Sequence, residues 1–144
     1  MSLALDANVL LYAVNTRDSR HERSREVLAE LAEGREVVYL FWPVLTAFLR
    51  ISTRVGVFSK PLSPAEARRA VDELLENEHF YSPGESESFW SAFRETAAEV
   101  DAKGDLVSDT HIVALMRVHG VRTIITHDRD FRRFDGIKVR DPFA

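Results

Sequence analysis

The chain of 144 residues is 45% apolar and 29% charged, the balance of a globular protein long enough to bury its own core. It has no cysteine, which excludes a disulfide scaffold, a thiolate zinc site and a cysteine nucleophile, and fits a reducing cytoplasm. The net charge of −4 argues against non-specific nucleic-acid binding, although 16 of the 19 basic residues are arginine, the side chain suited to bidentate phosphate contacts.

No apolar run reaches the length of a membrane span, and the opening Met1–Asp6 lacks the basic and apolar blocks of a signal peptide. A cytoplasmic protein with no membrane partner is expected. There are no repeats or long linkers, so residues 1–144 read as a single domain.

In chain order, Leu3-Ala4-Leu5 is a short strand ending at Asp6, and Val9 to Val14 begins a buried helix. Ser19-x-x-Glu22 has the form of a capping box for a helix to about Gly34, with Val27, Leu28 and Leu31 inward. Val37–Phe41 is a buried strand, and Pro43 opens a helix closing near Gly56. Ser63-Pro64-Ala65-Glu66 joins a capping box to a proline at the first helical position, and that helix runs to about Asn77. His79–Tyr81 is a weaker strand. A helix from about Glu85 to Lys103 carries Phe89, Trp90 and Phe93, aromatics at a spacing that usually packs into a core. Asp105 to His119 is another helix, ended by Gly120. Arg122–Thr126 and Ile137–Val139 are the last strands. Strands alternating with helices predict an α/β fold with a mostly parallel central sheet, whose functional crevice lies at the carboxyl ends of the strands.

Three acids stand where that crevice is expected. Asp6 follows the first strand directly, and Asp128 follows the fourth by two residues. Asp109 shares the stripe of Ile112, Val113 and Met116 on its helix, so it points inward, where a carboxylate is costly unless paired or ligating a metal. Magnesium and manganese favour such hard oxygen ligands. Taken singly, each acid is also explained as a turn or cap residue: Asp130 suits the cap of a turn at 131–133, and Asp105 the N-cap of its helix.

The order of the motifs is more specific than any one of them. Leu5-Asp6-Ala7-Asn8-Val9-Leu10-Leu11-Tyr12, Gly104-Asp105-Leu106-Val107-Ser108-Asp109-Thr110-His111-Ile112 and Ile125-Thr126-His127-Asp128-Arg129-Asp130-Phe131 together resemble PIN-domain ribonucleases, and within them the VapC-type toxins of bacterial toxin–antitoxin pairs. The resemblance covers nearly the whole chain. It implies a three-layer α/β/α sandwich, Mg2+ or Mn2+, hydrolysis of RNA phosphodiesters, a homodimer, and an antitoxin that blocks the site. Asp6, Asp109 and Asp128 match the family's metal-binding acids, and Asp130 an often-present further acid. Asn8 and Thr126 match polar neighbours of the first and fourth acids, where they would position substrate.

One departure stands out. The family usually carries a glutamate in the helix after the second strand, where Leu45-Thr46-Ala47-Phe48-Leu49-Arg50 has Ala47. Asp105, one turn before Asp109, is the expected substitute ligand, since i and i+4 share a helix face. The rival reading is a catalytically weakened PIN-like module that acts by binding nucleic acid or its antitoxin. A receiver-like or phosphatase-like domain with Asp6 as nucleophile is a third reading, opposed by the single acid at the first strand. The five histidines lack zinc-like spacing, and His127 reads as an incidental loop residue. Arg17, Arg20 and Arg23 read as a solvated helix face.

Overall fold

The computed structural model describes residues 1–144. The strands are β1 (Ser2–Leu5), β2 (Val37–Tyr39), β3 (Phe80–Tyr81), β4 (Thr123–Ile125) and β5 (Lys138–Arg140). The helices are α1 (Ala7–Val14), α2 (His21–Glu33), α3 (Trp42–Ser52), α4 (Pro64–Leu75), α5 (Phe89–Val100) and α6 (Leu106–Val118), with a 3-10 turn at Arg129–Arg133.

The strands form one sheet in the order β3-β2-β1-β4-β5, and every pairing is parallel. Helices cover the sheet to give a three-layer α/β/α sandwich. A central parallel strand is buried on both faces, so its sequence shows no alternation. Leu3, Ala4 and Leu5 accordingly have no exposed surface. The chain runs outward from β1 to β2 and β3, then returns to place β4 on the other side of β1. This reversal of direction opens a crevice at the carboxyl ends of β1 and β4. Register brings the two ends level: Leu5 pairs with Ile125, and the Asp6 amide donates to the Ile125 carbonyl at 3.1 Å.

Local signals succeeded or failed for identifiable reasons. The Ser63 capping box forms in full, with Ser63 Oγ accepting from the Glu66 amide at 3.1 Å and Glu66 Oε1 from the Ser63 amide at 3.0 Å. The Ser19 box does not form. Helix α2 begins at His21 with no side-chain cap, and Asp18 organises the approach instead. Its carboxylate accepts from the Arg20 amide at 2.8 Å and from the guanidinium at 2.9 and 3.0 Å. A charge-assisted bidentate pair outcompetes a hydroxyl cap. Helix α5 is shorter than expected at both ends and stops where Asp101 adopts a left-handed φ of 49°, a conformation aspartate tolerates.

The aromatic trio of α5 is not uniformly core. Phe89 packs against the core, while Trp90 is 63% exposed and stacks on Phe93 at 5.7 Å. Trp90 lies one residue off the inward stripe of Phe89, Phe93 and Thr96, so the helix turns it to solvent. No helix is long and apolar enough to cross a membrane.

Candidate active site

Asp6 leaves β1 in extended conformation and becomes the N-cap of α1, its Oδ1 accepting from the Ala7 amide at 2.8 Å. Its Oδ2 accepts from the Thr126 hydroxyl at 2.7 Å and, more loosely, from Asn8 Nδ2 at 3.4 Å. Thr126 is fully buried just beyond β4, and its oxygen also accepts from Asn8 Nδ2 and from the Asp128 amide, both at 3.0 Å. A hydroxyl has one proton and two lone pairs, and here all three are used. Residues 120 positions apart in sequence thus lock Asp6 and the start of the Asp128 loop into one frame.

Asp128 caps the 3-10 turn, its Oδ1 accepting from the Asp130 amide at 2.9 Å. The capping role expected of Asp130 therefore falls to Asp128, and the Asp130 carboxylate stays exposed beside it. Asp109 stands in the first turn of α6, directly before the buried run Ile112–Met116. Carboxylate oxygens of Asp109, Asp128 and Asp130 lie within 4.8 Å of one another. Asp6, Asp109 and Asp128 line a single cleft of about 580 Å³, together with Asn8. Asp105 does not line it. Asp105 is the N-cap residue immediately before Leu106, with helical backbone angles but no side-chain capping bond, and it is exposed, one turn before Asp109.

The electrostatics follow from this crowding. Burial pushes the Asp6 carboxyl above the ordinary aspartate range, against the Thr126 and Ala7 hydrogen bonds, and the Asp128 charge adds to the rise. Asp109 is pushed up to about 7, first by burial and then by the charges of Asp128, Asp6, Asp130 and Asp105. No cationic side chain pairs with Asp6, Asp109, Asp128 or Asp130. Converging oxygen donors with repelling charges and no counter-ion form a donor set that fits a hard divalent cation.

Apart from position 47, sequence reasoning missed the opposite wall. Helix α3 turns Trp42, Pro43, Thr46, Ala47, Arg50 and Ile51 toward the cleft, while Val44, Leu45, Phe48 and Ser52 are buried. The signal was a second face at i, i+4 and i+8, hidden beside the stronger apolar stripe. Ala47 thus faces the acids across the cleft, and the carboxylate missing from the family pattern is missing from the wall itself. Glu85, before α5, and His111, on α6, also line the cleft and pair at 3.2 Å. His127 instead turns to the C-terminus, with Nδ1 at 3.0 Å from Asp141 Oδ2 and its ring edge-on to Phe143. Arg23 is held by Glu26 and Glu30, and Arg20 by Asp18 and the Tyr12 ring, as a solvated face requires.

The PIN domain family matches residues 3–137. The chain belongs to this family. It is 39% identical to Ribonuclease VapC48 of Mycobacterium tuberculosis over 100% of the chain and 99% of that protein. Ribonuclease VapC43 of the same organism is 36% identical over 97% of the chain and 95% of its own length. Identity at this level over full length places the chain among the VapC proteins. Solved PIN-fold structures agree in architecture. VapBC2 from Rickettsia felis, bound to a DNA fragment from its promoter, superposes with a TM-score of 0.70 at 16% identity, covering 97% of this chain and 98% of that one. Mycobacterium tuberculosis VapC20, a sarcin-ricin loop cleaving toxin, gives 0.67 at 18% identity over 94% of this chain and 98% of its own.

Proposed function

We propose that this VapC-family chain is the toxin of a toxin–antitoxin pair, a metal-dependent endoribonuclease that works in the cleft between β1, β4, α6 and α3. The observation that carries this reading is the cluster of Asp109, Asp128 and Asp130 carboxylates within 4.8 Å of one another, with the buried Asp6 in the same cleft as Asp109 and Asp128, Asp109 pushed up to about 7 and no side-chain cation paired with any of them. Its full-length likeness to proteins named as ribonucleases supports the same activity.

Asp6, Asp109 and Asp128 would hold Mg2+ or Mn2+, with Asp130 as a further oxygen donor and Asp105 contributing only its charge from outside the cleft. When bound, such a cation lowers the pKa of water and offsets charge on a scissile phosphate. Thr126 and Asn8 fix the Asp6 carboxylate and the Asp128 loop, so the acids are oriented before RNA arrives. An antitoxin is the expected protein partner, and a homodimer the expected assembly, readable as mass by light scattering.

The deciding experiment is cleavage of a mixed RNA pool in EDTA, in magnesium and in manganese, beside an Asp6→Ala control. Metal-dependent cutting that vanishes in the control is expected. RNA bound in metal but never cut would instead favour the binding-module reading, for which Ala47 in place of a carboxylate is the specific observation.

Ala47→Glu returns a carboxylate to that wall. Metal affinity is set partly by ligand charge count, so calorimetric titration with manganese should show binding tightened by about tenfold. An unchanged affinity would mean that position 47 does not reach the cation.

A further inference from the structure

Trp42 is 42% exposed at the mouth of the acid cleft, and its ring meets no other aromatic ring. Its indole N–H makes no hydrogen bond within the protein. Arg50 lies on the same face two turns on, exposed, with no ion pair. Thr46 lies between them with its hydroxyl turned back onto the Trp42 carbonyl at 2.9 Å, so it offers a methyl surface rather than a competing donor. The stripe spans about 12 Å along the helix axis. A large aromatic and an unpaired guanidinium left open beside a phosphate-processing cleft are complementary to one ligand chemistry, an unpaired base followed by its phosphate.

Building on the ribonuclease reading above, we propose that α3 is the track for the single-stranded RNA flanking the scissile bond, with Trp42 stacking on an unpaired base and Arg50 pairing with a backbone phosphate. The acids on the far wall process the phosphate, and the α3 stripe holds the strand in register with them.

The chain has two tryptophans, so Trp90→Phe leaves Trp42 as the sole emitter. Its fluorescence should be quenched within the mixing phase when single-stranded oligo(A) is added in magnesium by stopped flow, ahead of any cleavage. Trp42→Ala should raise KM for the RNA pool roughly ten- to a hundredfold, the usual effect of losing one stacked base, with kcat little changed. Trp42→Phe should recover most of the loss. Arg50→Ala should lower the slope of log affinity against log salt by about 0.7, the value for one single-strand phosphate contact.

Emission that does not respond to RNA, or a salt slope unaltered by Arg50→Ala, overturns the track, even in a protein that cleaves the pool normally. Quenching without cleavage keeps the track and removes the nuclease, so the two readings fail separately. Trp42 emission that responds to a basic peptide and not to RNA would assign the stripe to a protein partner and overturn the proposal.

Discussion

Asp109→Asn is expected to reduce metal-dependent RNA cleavage by at least about 10²–10³-fold, the usual cost of removing one preorganised charge-stabilising group. The same substitution should make the metal-free protein more stable at neutral pH. Asp109 titrates at about 7 in the fold because burial and four neighbouring acids disfavour its charge. In the unfolded chain an aspartate titrates near ~3.9. Between those values the folded state binds more protons than the unfolded one, so stability falls as pH rises from about 4 to about 7 and stays lowered above it. The group is half exposed, and solvent screening limits its contribution to about 1–2 kcal/mol, a few degrees in Tm. Thermal melts in EDTA across pH 4 to 8 should therefore slope downward in the parent and be flatter in Asp109→Asn. Added manganese should stabilise the parent most at the alkaline end, where its carboxylates are already ionised. Identical melting profiles for parent and variant would show that Asp109 is not the strained acid the geometry makes it.

Thr126→Val should lower cleavage by about 10–100-fold, although the residue touches neither metal nor substrate in this reading. Groups that orient metal ligands typically carry that weight. Valine matches threonine in shape but leaves Asp6 Oδ2, Asn8 Nδ2 and the Asp128 amide without a shared partner. Unsatisfied buried polar groups cost about 1–3 kcal/mol each, so denaturant unfolding should also show a loss in that range. Thr126→Ser keeps the hydroxyl and should recover most of the activity. If valine and serine behaved alike, the hydroxyl frame around Asp6 would have no role in holding the site.

Much of the fold was legible because its signals are local or purely compositional. The continuous apolar run of Leu3–Leu5 marks a strand buried on both faces, and Ser63-Pro64-Ala65-Glu66 contains both halves of its own cap. The acids Asp6, Asp109 and Asp128 could be picked out by their positions after strands and on an inward helical stripe. The Ser19 box misled because a neighbouring Asp18–Arg20 pair, invisible to a capping pattern, was the stronger interaction.

What remained hidden depended on chain reversal and on side chains meeting across the sheet. No local pattern says that β4 returns to lie beside β1, yet that placement joins Thr126 to Asp6 and levels the two strand ends. No local pattern shows that Ala47 faces acids far away in the chain, or that Trp42 and Arg50 share its wall. The sequence by itself determined which elements form and which acids sit at their ends, because those depend on residues within a turn or two. Only the tertiary structure decided which acids crowd together, how far Asp109 is pushed and what stands opposite them. Those quantities depend on distances through space, and sheet order and helix packing set these distances.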